Sequence, residues 1–583
     1  MSIGMPGDYQ LFLEDSSPVN LDSTIERTLA YHQQTKHHLQ RYARSPGYLD
    51  WATQPDPFRT YVGAPRIELD LRADQVTSSY GDLFRTGVIP PQPIGVETIG
   101  ILFELSLGLS AWKQYQGSRW ALRCNPSSGN LHPTEGYLIV PELPGLTEGV
   151  YHYVSRDHCL ERRCLLSPMA HDRLTAVLSP NRFLVGLSSI HWREAWKYGE
   201  RAFRYCQHDV GHAIASVRFA AAALGWSARL LDAPGDVDVT ALLGLDRDAD
   251  FADVAAADRE HPDVLLLVSK KGTGPICRNG PEGASHKLDL SPFLPSWQGR
   301  ANPLSPQHVD WPIIDEVAQA TWKPATEPME TVEPAALPPL ILSSQAAAAT
   351  LIRQRRSCLA LDGTTSISAE TFYRMLDSLL PRPGVPPWDT LPWAPLLHLG
   401  LFVHRVRGLT PGLYLLERDA AVHEKLRPAL RDVFLWKRPA NCPEHLRLWC
   451  LAESDLRDAS RMVSCHQEIA SDGAFSLGML AVFGDTIRQR GPWWYRRLFW
   501  ESGVLGQVLY LEAEAAGIRS TGIGCYFDDV FHDILGIQSD AFQCLYHFTV
   551  GGPVDDDRLT TLVPYFHMER KMPDPQESPY LAP

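Results

Sequence analysis

No basic run, no long apolar stretch and no paired-cysteine motif occurs in this chain, and each absence removes a class of function. Lysine and arginine total 54 against 68 aspartate and glutamate, a net charge of −14. Without a basic stripe, nucleic-acid binding is not expected. No apolar run approaches the ~18 residues that cross a bilayer, so no membrane helix is expected. Met1 to Ser17 contains acids and no apolar centre, so no signal peptide is expected. The eleven cysteines are dispersed, and Cys159 and Cys164 lack a second pair at zinc spacing. Free thiols in the cytoplasm, and no metal, are the expectation. His32, His37, His38, His132, His208 and His212 show no ligand spacing with carboxylates either.

What is present is a chain of 583 residues with 44% hydrophobic content, enough for at least two cores. Residues 1–90 read as an arm: a helix over Ser23–Arg44, then a packed, proline-punctuated aromatic segment, Trp51 to Tyr61. Residues 91–302 form a first domain. It has helices over Gly95–Trp112 and Arg193–Leu224, and strands at Tyr137–Val140, Gly149–Val154, Ala228–Leu231 and Val264–Val268. Residues 303–340 carry eight prolines in acidic sequence and read as an extended linker. Residues 341–583 form a second domain, with helices over Ala346–Arg356 and Ser368–Leu380 and a strand at Leu396–Val403.

The halves repeat one another. Gly145-Leu146-Thr147-Glu148-Gly149-Val150-Tyr151 matches Gly408-Leu409-Thr410-Pro411-Gly412-Leu413-Tyr414. A single offset of 292 relates Asp209 to Glu501, Gly211 to Gly503, Gly225 to Gly517 and Leu243-Gly244 to Leu535-Gly536. A tandem duplication packed on itself gives an intramolecular pseudo-dimer.

Four stretches carry chemistry. Cys124-Asn125-Pro126-Ser127-Ser128-Gly129-Asn130 offers hydroxyls, an amide and bare backbone N–H groups to a planar polar ligand. Taken alone it reads as a helix-to-strand turn. Arg355-Arg356-Ser357 suits a phosphate, or is a solvated helix end. Ser520-Thr521-Gly522-Ile523-Gly524-Cys525 is a glycine loop without the dinucleotide-binding fingerprint. Lys197-Tyr198 is an acid–base pair, or part of an amphipathic helix; a lysine beside a tyrosine predicts a lowered phenol pKa.

Asn125-Pro126-Ser127-Ser128-Gly129-Asn130-Leu131-His132-Pro133-Thr134-Glu135 resembles the flavin-contacting loop of the nitroreductase superfamily, most closely its SagB/ThcOx peptide-azoline dehydrogenase branch. Lys197-Tyr198-Gly199-Glu200-Arg201 resembles that branch's Lys-Tyr motif. Thr35-Lys36-His37 and Gln54-Pro55-Asp56-Pro57-Phe58 resemble its amino-terminal segment. Arg355-Arg356-Ser357 resembles the superfamily's phosphate-binding segment, and Gly522-Ile523-Gly524-Cys525 its glycine loop. The resemblance implies two tandem α+β, mixed-sheet domains with FMN between them. Pro126, Ser127, Ser128 and Asn130 of one half and Arg355, Arg356, Ser357, Gly522, Ile523 and Gly524 of the other would contact FMN. Family members commonly have a base two residues past the serine. Here Leu359 stands there, and Arg558 is a candidate replacement.

The losses are complementary. The first half has Asp82-Leu83-Phe84 where the arginines would be and Asp232 in place of Gly524. The second has Gln489-Arg490 in place of Lys197-Tyr198 and no Ser-Ser-Gly-Asn before Leu401. One composite FMN site per chain is expected. The resemblance implies hydride transfer to FMN from a peptide thiazoline, oxazoline or small heterocycle, with Tyr198 as base assisted by Lys197. Biosynthetic partner proteins are candidates. The alternatives are an NAD(P)H-dependent nitro or quinone reductase and a non-catalytic peptide-binding scaffold.

Overall fold

The computed structural model describes residues 21–167, 174, 178–270, 296–341 and 344–568; Met1–Ser17 lies outside them. Two large sheets dominate. The first runs Arg66–Glu68, Cys159–Leu165, Gly149–Val154, Thr134–Val140, Arg182–Ser189, His261–Lys270, Trp226–Leu230. The second runs Leu448–Glu453, Gly412–Leu416, Leu397–Val403, Phe475–Val482, Phe542–Gly551, Arg519–Ile523. After the first edge strand, the two orders and their chain connections are the same. Neighbouring strands in both sheets are antiparallel. A short parallel ladder joins Ile367–Ser368 to Val406–Arg407.

The repeated residues have physical reasons. Leu138 pairs with Tyr151 and Val185, as Leu401 pairs with Tyr414 and Leu477. The Tyr151 hydroxyl donates to the Thr147 carbonyl at 2.6 Å, and Tyr414 to Thr410 at 2.7 Å. Gly244 and Gly536 end their helices at φ 71° and 89°, where a side chain is disfavoured. Along each strand, alternation divides inward from outward residues. Leu138 and Leu401 enter one core that runs through both halves, while Ile139 and Phe402 enter separate outer cores.

The long helices Ala202–Ala223 and Trp494–Ala515 sit between the sheets and coincide under the 292 offset. They cross at glycines. A Cβ on Gly211 would lie 2.2 Å from the Trp500 carbonyl oxygen, and one on Gly503 would lie 2.2 Å from that of His208. The ion pairs across this contact are reciprocal too: Arg204 with Asp528 at 2.8 Å and Arg496 with Asp236 at 2.7 Å. The carboxy-terminal strand Thr560–Leu562 adds to the first-half hairpin Leu109–Tyr115 and Ser118–Arg123.

Several boundaries differ from expectation. The helix expected over Gly95–Trp112 is Val96–Ser106, and Leu109–Tyr115 is a strand. Gly108 turns so tightly that a Cβ would meet the Glu104 carbonyl at 2.7 Å, and Gln116 (φ 49°) turns the hairpin. The helix expected over Arg193–Leu224 breaks at Gly199 into His191–Tyr198 and Ala202–Ala223. There the arm passes close: a Cβ on Gly199 would meet the Arg44 carbonyl at 2.4 Å. The arm helix ends at Gln34, because Lys36 and His37 are drawn to Asp529 and Asp528 of the second half. The linker expected to be extended contains a helix, Pro312–Ala320, begun by proline at its first position. No described helix is long and apolar enough to cross a membrane.

Candidate functional site

The loop from Pro126 to Pro133 is held by its own side chains. The His132 amide donates to Ser127 Oγ at 2.8 Å, and Asn130 Nδ2 donates to the Ala121 carbonyl at 2.8 Å. Asn130 Oδ1 lies 3.0 Å from His132 Nε2, so its amide is spent within the loop. Pro126 is buried beneath. Ser128 donates its N–H at 3.1 Å and its hydroxyl at 3.2 Å to Asp209 of the first long helix. Burial pushes the Asp209 carboxyl up to about 7, against the hydrogen bonds from Ser127 and Ser128.

Gly129, at φ 58°, is the exposed tip, and it faces Lys197 and Tyr198. A Cβ there would lie 2.6 Å from Tyr198 Oη and 3.1 Å from Lys197 Nζ. The break at Gly199 ends the short helix just beyond this pair and so presents both side chains to the loop.

Contacts lead from there into the second half. The Tyr198 and Tyr205 rings are 4.5 Å apart. A Cβ on Gly524 would meet Tyr205 at 2.3 Å, and one on Gly522 would meet Tyr546 Oη at 1.9 Å. Tyr546 stacks on His208 at 4.0 Å. Ile523 is buried in the strand between the glycines. The Gly522 amide donates to Tyr510 Oη at 3.0 Å, and that hydroxyl lies 2.8 Å from Ser357 Oγ. Ser357 lies alongside Ser520 in a parallel bridge.

Arg355 and Arg356 then return to the first half. Arg355 Nη2 donates to the Arg123 carbonyl at 3.1 Å, and Arg356 Nη2 to that of Ser110 at 2.9 Å. Neither makes an ion pair with a described carboxylate, and Arg355 Nε is buried without a partner. Burial lowers both guanidiniums, Arg356 to about 10 with Arg355 adding repulsion. Lys113 and Arg519 bring further positive charge: burial and then Arg356 and Arg519 lower Lys113. Such a cluster suits an anion with several oxygens. Arg558 does not reach in. It pairs with Asp556 at 2.7 Å with its side chain 74% exposed, and Leu359 points to solvent at 82% exposure.

The expected lowering of the Tyr198 phenol is not found. Burial raises it well above its ordinary value, with Glu194, Tyr205 and Asp209 adding. Two missed residues explain this. Glu194, one turn earlier, is buried with both carboxyl oxygens unpartnered; burial raises its pKa strongly, Asp209 adds, and Lys197 opposes. Asp209 had drawn notice only as a repeat position, and Glu194 shows no sequence signal beyond lying four residues before Tyr198. The hubs Tyr510 and Tyr546 had none.

The place related by the repeat is filled. Asp232, in the position of Gly524, pairs with Arg497, in the position of Tyr205. Glu501, the counterpart of Asp209, accepts from the Leu396 and Leu397 amides at 3.1 and 3.2 Å and pairs with Arg418 at 2.5 Å. The linker seals it: the Thr326 amide donates to the Ala233 carbonyl and the Met329 amide to Asp232 Oδ2. A separate surface cleft of about 290 Å³ lies near His404 and Arg457, and none of its lining residues is a candidate site residue. Among the described residues, no group of three or more His, Cys, Asp and Glu side chains is placed to hold a metal.

No protein-family model matches the chain. The proteins that match the chain include two with the name "putative nitroreductase". One, from Methanocaldococcus jannaschii (MJ1384), is 27% identical over 151 residues, 25% of this chain and 69% of that protein. The other is a crystal structure from Anabaena variabilis, 22% identical with a TM-score of 0.63, covering 91% of this chain and 99% of that one. The trifolitoxin-processing protein TfxB of Rhizobium leguminosarum is 37% identical over 109 residues, 17% of this chain and 29% of that protein. The chain therefore has a nitroreductase-like α+β fold, matched over nearly its whole length to a single solved chain.

Proposed function

We propose that this protein is an FMN-dependent oxidoreductase of the SagB/ThcOx kind, a tandem duplication forming an intramolecular pseudo-dimer with one composite site. The observation that carries the reading is the pair of desolvated guanidiniums without an ion-pair partner, Arg355 and Arg356, beside Gly522 and Gly524. A flavin phosphate matches the guanidiniums, and the glycines let the Tyr546 and Tyr205 rings pack close beside them. Ser128 and Gly129 close the opposite side, while Pro126, Ser127 and Asn130 shape their loop.

Bound FMN supplies a two-electron acceptor. The chain positions the substrate, an azoline in a peptide or a related heterocycle, and handles its proton at Tyr198 Oη and Lys197 Nζ. The Tyr198 phenol is neutral before substrate binds. Proton removal therefore requires the phenol to ionise first, its proton leaving to solvent as substrate binds, so that the Tyr198 phenolate, stabilised by Lys197, accepts the substrate proton. The local similarity to a trifolitoxin-processing protein favours a biosynthetic substrate and partner proteins.

Purified protein should show a flavin spectrum. Arg355→Ala and Arg356→Ala should each weaken FMN binding at least about tenfold, the worth of a charged hydrogen bond. Colourless protein that binds no added FMN would overturn the reading. The nitroreductase names favour a second reading, reduction by NAD(P)H. Rapid bleaching of bound flavin by NADPH would select it.

A further inference from the structure

Beside the glycine segment lies a group of side chains that the flavin reading leaves unused. Cys525 follows Gly524 directly, and Cys465 and His37 are the neighbouring groups that act most strongly on its thiol. The backbones are held side by side. Gln467 Nε2 donates to the Ser464 carbonyl at 2.9 Å and the Cys525 carbonyl at 3.0 Å, and the Phe527 amide donates to Val463 at 2.8 Å. Cys465 and His466 both adopt left-handed backbone, φ 54° and 60°, a conformation that costs energy in non-glycine residues. That turn lies beside the Cys525 carbonyl.

His37 has a defined role. The Ala43 amide donates to His37 Nδ1 at 2.9 Å, which leaves the neutral ring's proton on Nε2, free to donate to the Cys525 sulfur. Arg201 adds positive charge, its Nη2 donating to the Gly524 carbonyl at 3.2 Å. Cys465, then His37, lower the Cys525 thiol against the effect of burial, while Cys465 is pushed up. The two cysteines differ from most others in access: both are half-buried, whereas Cys124, Cys159, Cys164, Cys206, Cys358, Cys450 and Cys544 are buried.

We propose that Cys525 and Cys465 form a peroxide-reactive thiol pair that closes to a disulfide at the edge of the glycine segment. The Cys525 thiolate attacks one oxygen of hydrogen peroxide. The O–O bond breaks, Cys525 becomes a sulfenic acid, and hydroxide leaves. The Cys465 sulfur then attacks the sulfenic sulfur, its proton goes to the departing hydroxyl, and water leaves. Two thiols and one peroxide give one disulfide and two waters. The bond ties the turn at Ser464–Gln467 to the segment that touches Tyr205. The proposal is independent of whether FMN binds.

The test treats the full chain with one equivalent of hydrogen peroxide, alkylates the remaining thiols and maps the digest by mass spectrometry. A Cys465–Cys525 cross-link with two thiols lost per chain is expected. Cys525→Ser should slow peroxide consumption at least about tenfold, because the reactive thiolate is gone. Cys465→Ser should leave a sulfenic acid on Cys525 that dimedone traps. Oxidation of other cysteines while this pair stays reduced, or an unchanged rate in Cys525→Ser, would overturn it.

Discussion

Tyr198 and His152 show opposite outcomes of burying a titratable side chain. Around Tyr198, burial and neighbouring acids act together, so the phenol stays protonated. Tyr198→Phe should cut turnover about a hundredfold or more, the scale of a lost proton-transfer group, while FMN binding is retained. Undiminished turnover would remove Tyr198 from the chemistry. Glu194→Gln should shift the pH profile of kcat, and an unshifted profile would make Glu194 a bystander. Around His152, burial favours the neutral ring, but hydrogen bonds to Glu135 and Glu161 outweigh it and raise the pKa to about 9. A folded pKa above the unfolded 6.5 stabilises fully below pH 6.5 and is lost as pH rises through about 9. Thermal unfolding should show this loss, at most about 3 kcal/mol, and His152→Gln should remove that pH dependence.

Among the elements, two glycines inside helices have opposite roles. Alanine in place of a mid-helix glycine ordinarily stabilises by about 1 kcal/mol. At Gly100 the added Cβ finds its nearest neighbours at 3.5 Å, so Gly100→Ala should hold or raise stability. At Gly503 it would lie 2.2 Å from the His208 carbonyl, with no side chain to move aside. Gly503→Ala should therefore destabilise, by about 2 kcal/mol or more given the usual cost of overpacking, in urea unfolding. Equal effects at the two positions would contradict the crossing. The boundaries misplaced from sequence share a cause of this kind. Gly199 breaks a helix because the arm's Arg44 carbonyl passes there, a contact 155 residues distant in sequence. The strand Leu109–Tyr115 is drawn out of the expected helix by pairing with Ser118–Arg123 and with Thr560–Leu562.

For the whole molecule, the two halves make two related places, and on the proposed reading only the one at Ser128, Arg355 and Gly524 takes a cofactor. Arg497, Asp232, Arg418, Glu501 and the linker around Thr326–Met329 occupy the second. FMN should therefore bind at one per chain, counted by flavin absorbance against protein; two per chain would overturn the single-site reading.

The matching positions of the two halves were legible in the sequence, because turn glycines and the Thr-to-Tyr hydrogen bond constrain residue identity locally. Residues 126–130 and 355–357 stood out only through their resemblance to a known family, since by composition they read as a turn and a solvated helix end. Only the tertiary structure decided which groups meet. Asp209 beneath Ser128, Glu194 behind Lys197, Tyr510 between Ser357 and Gly522, and Cys465 against Cys525 join segments or helix turns whose contact depends on packing. Protonation was decided there as well, since burial sets the charge of a side chain and burial belongs to the folded molecule.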